Sequence, residues 1–158
     1  MAPDCLIVYT SIHHGNTKRI ATAMAGALDA TLKQPGETSV DDIAAADLVG
    51  FGSGIYFWRH HRDLLHLADE LPAMPGKRAF LFSTSGIGPG WLWHRSLRRH
   101  LRRKGFAIVD EYACRGHDTY GLLRFIGGIH KNRPNDGDIA QAQRFAVQLV
   151  GTVPRSKD

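Results

Sequence analysis

Hydroxyl, amide and imidazole groups crowd into one stretch near the start of the chain, Ser11-Ile12-His13-His14-Gly15-Asn16-Thr17. It follows an apolar, β-rich run from Leu6 to Thr10 and opens a helical pattern from about Asn16 to Leu28. The first N–H groups of a helix lack intrahelical partners and carry the positive end of its dipole, so they bind phosphate well. Ser11 and Thr17 would add hydroxyls and Asn16 its amide, while Gly15 lets the backbone come close. The plainer alternative is an ordinary helix cap, since Ser, Asn and Thr are common N-cap residues. The G-x-x-x-x-G-K-[ST] pattern is missing, which argues against a nucleoside triphosphatase, and the dinucleotide fingerprint is absent from this turn. A monoester phosphate wrapped by neutral donors is the ligand that fits. His13 and His14 are adjacent, their side chains point apart, and no carboxylate or cysteine is near in sequence, so no metal site is expected.

Two further loops combine glycines with aromatics. Gly50-Phe51-Gly52-Ser53-Gly54-Ile55-Tyr56-Phe57-Trp58 ends in three consecutive rings, and Ser83-Thr84-Ser85-Gly86-Ile87-Gly88-Pro89-Gly90-Trp91 repeats the recipe with more hydroxyls. Gly-rich backbone beside aromatics can hold a planar heterocycle, stacked on its faces and hydrogen-bonded at its edge. The competing reading is a bend followed by core aromatics. Together the three loops describe a phosphate seat and a slot for a flat ring.

Elements of a particular kind must bring these loops to one edge. Short apolar runs alternate with helical patterns, which predicts a parallel sheet covered by helices on both faces. Strands are expected at Leu6 to Thr10, Ala30 to Lys33, Leu48 to Gly52, Arg78 to Ser83 and Phe106 to about Cys114. Helices are expected from about Asn16 to Leu28, after a Ser39 cap, from Phe57 to Leu71, along Trp93, Leu97 and Leu101, and after Asn135 or Asp136. An irregular loop separates Cys114 from Asn135. Right-handed crossovers then give a doubly wound sheet, whose ligands bind beyond the carboxyl ends of the strands.

Length and composition fit one domain over residues 1–153 with a frayed tail at 154–158. No run of about 18 apolar residues exists and the start of the chain lacks a basic, apolar leader, so no membrane span and a cytoplasmic location are expected. Two cysteines, Cys5 and Cys114, read as reduced core residues. A net charge of +5 favours anionic ligands or acidic partners. Much of it sits on the helix carrying Arg95, Arg98, Arg99, Arg102 and Arg103; aromatics are not interleaved with these charges, so nucleic-acid binding is not expected.

The strings Ser11 to Ala21, Gly50 to Tyr56 and Phe80 to Gly86 resemble the flavodoxin family, and Cys114 to Gly121 and Gly127 to Asn135 resemble a prokaryotic branch of small flavodoxin-domain proteins. The similarity covers nearly the whole chain. It implies a flavodoxin-like α/β fold, a doubly wound five-stranded parallel sheet in the order 2-1-3-4-5 with helices on both faces. It also implies a bound FMN, the phosphate in the first loop and the ring between the other two. The implied cofactor-binding residues are Ser11, Ile12, His13, His14, Gly15, Asn16, Thr17, Ser53, Gly54, Ile55, Tyr56, Phe57, Trp58, Ser83, Thr84, Ser85, Gly86, Gly88 and Trp91. The usual family loop, S-x-T-G-N-T, is here one residue longer, and His13 and His14 occupy the insertion and a Thr position. Their imidazoles would make FMN affinity pH-sensitive; affinity constant between about pH 5.5 and 8 would contradict this.

The flavin would be the redox centre, with no catalytic side chain. The first functional reading is an electron-transfer protein that accepts electrons from a reductase and passes them to a redox partner. The second is an FMN-dependent oxidoreductase acting on a quinone, porphyrinogen or similar flat substrate, with His117, Tyr120 and Arg124 lining a substrate site and Cys114 near the ring. The third is a flavin-free interaction domain on the same fold.

Overall fold

The structure, a computed structural model, describes residues 2–12, 15–86, 88–116 and 132–153. The expectations for His13, His14, His117, Tyr120, Arg124 and the tail 154–158 lie outside the described residues.

Strand β1 (Cys5–Thr10) sits at the centre of the first half, between β2 (Thr31–Lys33) and β3 (Leu48–Tyr56). Strand β3 pairs on its other side with β5 (Arg78–Ser85), and β5 pairs with β6 (Ala107–Arg115). All four pairings are parallel, in the order β2-β1-β3-β5-β6. This is the expected doubly wound order with one addition, the two-residue β4 (Arg59–His60), which folds back antiparallel on the end of β3.

Alternate residues of each strand feed two cores. On one face Cys5, Ile7, Tyr9, Phe80 and Phe82 meet Ile20, Ala21 and Met24 of α1 (Asn16–Leu28) and Ala142, Phe145 and Ala146 of α6 (Asp136–Val150). The two large rings fit because β3 offers Gly50 and Gly52 opposite them: a Cβ at Gly52 would lie 2.2 Å from Phe82. On the other face Leu6, Val8, Val49, Phe51 and Leu81 meet Ile43 of α2 (Val40–Ala45), Leu64 and Ala68 of α3 (Arg62–Glu70), and Leu97 and Leu101 of α5 (Arg95–Arg103).

Caps set several boundaries. Ser39 accepts from the Asp42 N–H and starts α2, and Asn135, rather than Asp136, caps α6 in a reciprocal box with Asp138. Two boundaries differ from expectation. The stretch from Phe57 does not continue into a helix, because Phe57 (φ 49°) and Trp58 (φ 68°) turn the chain in the left-handed region and α3 starts only at Arg62. The Trp93 pattern splits into a short α4 (Gly90–Trp93) and α5, joined at His94.

Candidate functional site

The carboxyl ends of β1, β3 and β5 bring the first loop and the two glycine-rich loops to one edge. Helix α1 begins after Gly15, which takes a left-handed φ of 64° and brings no capping side chain of its own, and among the described residues nothing stands within 4 Å of where its Cβ would be. The chain thus enters the helix from a conformation suited to glycine, and the first-turn N–H groups lack partners within the helix itself. Ser11 Oγ accepts from the Lys18 N–H at 3.2 Å, which folds the loop back over the helix start. Thr17 Oγ1 lies 2.9 Å from Thr84 Oγ1, a buried pair that ties the first loop to the end of β5. The Tyr56 hydroxyl donates to the Ile12 carbonyl at 3.5 Å. From the far side Gly116 closes on Asn16, where a Cβ would come within 2.7 Å of the amide nitrogen.

The ring loops lie side by side because β3 and β5 run in register through Ser53 opposite Ser83 and Gly54 opposite Thr84. Arg115 Nη1 donates to the carbonyls of Gly86 and Gly88, at 3.3 Å each, and holds the second loop. Gly88 has φ 86°, and a Cβ there would meet the Trp93 ring at 2.4 Å. Ser85 is buried and its carbonyl accepts from the Gly116 N–H. The aromatics separate. Tyr56 packs back over Gly54 and lies edge-on to His61 at 5.3 Å. Phe57 and Trp58 stand at the exposed tip of the β3–β4 hairpin, Trp58 against Trp93 with centroids 4.9 Å apart. Trp91 is exposed on α4.

Beneath these loops, on the α3 and α5 face, lies a polar layer that the sequence did not disclose. Thr10, Ser53 and Ser83 form a row of buried hydroxyls across three strands. Two imidazoles cover it, His60 and His94, with centroids 5.0 Å apart. Ser53 Oγ donates to the Gly54 carbonyl at 2.7 Å, accepts from the His61 N–H, and lies 2.9 Å from His60 Nδ1. With the Ser53 proton so committed, a proton on Nδ1 of His60 completes this contact, and its buried Nε2 has no partner among the described residues. Burial, reinforced by the charge of His94, holds the His60 pKa well below the usual histidine range. His94 bridges Ser83 Oγ, 2.7 Å from Nε2, and Glu111, 2.9 Å from Nδ1, and Arg98 grips the same carboxylate with Nε and Nη2. Burial opposes ionisation of Glu111, but hydrogen bonds from His94 and Arg98 outweigh it and hold the pKa at about 2.

Ser83, His94 and Glu111 stand in the order of a hydrolytic triad. Ser83 and His94 are completely buried, so no substrate can reach the hydroxyl, and the trio serves to lock α5 onto the sheet. One signal was available in the sequence: His94, Leu97 and Leu101 are spaced three and four apart, the stripe of a buried helix face.

Cys5 and Cys114 are free thiols. Cys114 packs against the α1 and α6 core, and burial followed by the nearby Asp138 pushes its pKa up to about 12, which disfavours the thiolate. Among the described residues no group of three or more His, Cys, Asp or Glu could hold a metal, and no helix is long and apolar enough to cross a membrane.

Comparison with known proteins bears on the family and the fold. An uncharacterized protein of Methanocaldococcus jannaschii is 42% identical over 146 residues, covering 92% of this chain and 97% of its own. Solved structures share the fold at low identity. A short-chain flavodoxin associated with a bacterial microcompartment superposes with a TM-score of 0.71 at 16% identity, covering 96% of this chain and 99% of that one. Oxidised flavodoxin 2 from Bacillus cereus does so at 0.69 and 17%, covering 94% and 99%. A flavoprotein from Lactobacillus acidophilus, solved in complex with FMN, gives 0.58 at 17%, covering 71% and 93%. The sequence profile of the flavodoxin domain matches residues 6–110, two thirds of the chain and the whole of the sheet edge up to β6, and this chain belongs to the flavodoxin domain family.

Proposed function

We propose that this chain binds one noncovalent FMN and carries electrons from a reductase to a redox partner protein in the cytoplasm. The observation that carries this reading is the first turn of α1: it opens on Gly15, which brings no capping side chain of its own, the Ser11 hydroxyl lies at its Lys18 N–H, and the Thr17–Thr84 hydroxyl pair joins it to the loop beside the ring slot. A helix start with a serine hydroxyl beside it suits a phosphate monoester. Ser11 and Asn16 to Thr17 would hold the phosphate, and Gly54 to Tyr56 with Thr84 to Gly86 would line the ring. Bound flavin supplies one- and two-electron redox chemistry. The chain's own part is to orient the ring with a loop that Arg115 fixes and to keep water from the Ser53–Gly54 side, where the hydroxyl row is buried.

The test begins with flavin-free protein titrated with FMN and with riboflavin. FMN is expected to bind one to one, and riboflavin at least about tenfold more weakly, because it lacks the phosphate that the α1 turn would hold. Failure to bind either flavin overturns the reading. The flavin-loaded protein is then given NADH or NADPH and a quinone without a reductase. The carrier shows no steady turnover; sustained turnover replaces it with the oxidoreductase acting on flat substrates.

A further inference from the structure

A broad surface beside the ring loops combines unpaired positive charge with protruding aromatics. Arg59, Arg95, Arg99, Arg102 and Arg103 are exposed, and none has an ion-pair partner among the described residues. Four of them sit at 95, 99, 102 and 103, the helical stripe of α5 opposite buried Leu97 and Leu101. They line a depression of about 480 Å³ with Arg98, which Glu111 neutralises. A second depression of about 520 Å³ shares Arg95 and Arg99 and is walled by Phe57, Trp58, Leu92 and Trp93. No carboxylate lines either one. Phe57 is 73% exposed and Trp58 64%, large values for such side chains, and both project from a hairpin tip.

A face of this kind fits an environment that is anionic at its surface and apolar just below it. Indole and phenyl rings favour the headgroup level of a bilayer, and arginines pair there with lipid phosphates. Single-stranded nucleic acid would need free ring faces alternating with the charges. Here the rings cluster at one end of the arginine stripe instead of alternating with it, and one side of Trp58 lies against Trp93. We propose that this face docks peripherally on a bilayer containing anionic lipid, with the Phe57–Trp58 tip and Leu92 entering the headgroup layer and the arginines pairing with phosphates. This does not depend on whether flavin is bound.

The chain carries its own probe, because its three tryptophans are Trp58, Trp91 and Trp93, all on or next to this face. The full-length protein is mixed with vesicles of phosphatidylcholine alone or with about one third phosphatidylglycerol, and followed by co-sedimentation and tryptophan emission. Binding to the anionic vesicles only, with a blue shift, is expected. The double variants R95E/R99E and F57S/W58S are each expected to bind at least about tenfold more weakly while melting normally, since all four positions are solvent-facing. Four results overturn the proposal: no binding to anionic vesicles, binding without a blue shift, unchanged binding by F57S/W58S, or preferential binding of polyglutamate or a single-stranded oligonucleotide. The last would assign the face to an acidic protein or a nucleic acid instead.

Discussion

His60 is an imidazole held neutral in a site that water does not reach, and this makes the fold sensitive to acid. Its pKa is near 6.5 when the chain is unfolded and well below that when folded, so the folded state binds fewer protons in this range. The stability it allows is complete above about pH 6.5 and falls as the pH drops below it. Glu111 has the same sign in a lower window: its contribution is present above about 4.5 and is lost as the pH falls toward about 2. Melting temperature should therefore decline between pH 7.5 and 5, before the carboxylates titrate. In His60→Asn, which keeps a donor for Ser53, the decline over that interval should flatten. An equal decline in both proteins would show that the titration lies elsewhere.

At the scale of elements, the close fit of β3 against β5 is the least forgiving feature. Gly52→Ala places a methyl 2.2 Å from the Phe82 ring, which is packed between α1 and the sheet and cannot swing away. A loss of about 2 to 3 kcal/mol in urea denaturation is expected, against a few tenths for Gly36→Ala, whose Cβ would meet nothing. The sheet itself was readable, since Leu6 to Thr10, Leu48 to Gly52 and Arg78 to Ser83 are unbroken β-rich runs between turn residues. The β3–β4 hairpin was not, because Phe57 and Trp58 are poor turn formers and the leucines after Arg62 continue smoothly as a helical stripe. Nor was the His60–His94 layer. Its members come from β4, the α4–α5 joint and three strands, and only the register of β1, β3 and β5 stacks them. The candidate phosphate turn could be proposed from the sequence because its residues are consecutive, Ser11 to Thr17.

For the whole molecule, the proposed function would couple ligand and fold. If FMN fills the edge where β1, β3 and β5 end, it adds to the Thr17–Thr84 hydroxyl pair and the Tyr56–Ile12 contact that join these loops. FMN at about one hundred times its dissociation constant contributes about 2.7 kcal/mol to stability, which for a chain of this size raises the melting temperature by roughly 5 to 10 °C. Calorimetry with and without FMN measures this directly, and riboflavin at the same concentration should give a smaller rise.

The two left-handed residues at the hairpin tip set local stability against use. A turn with both central residues at positive φ is best served by Asn-Gly, and each bulky residue forced into that region costs on the order of 1 kcal/mol. Phe57→Asn with Trp58→Gly should therefore raise the melting temperature while abolishing the vesicle-induced emission shift. Two measurements moving in opposite directions would mark this turn as a place where selection has kept a less stable backbone for the sake of what the rings touch.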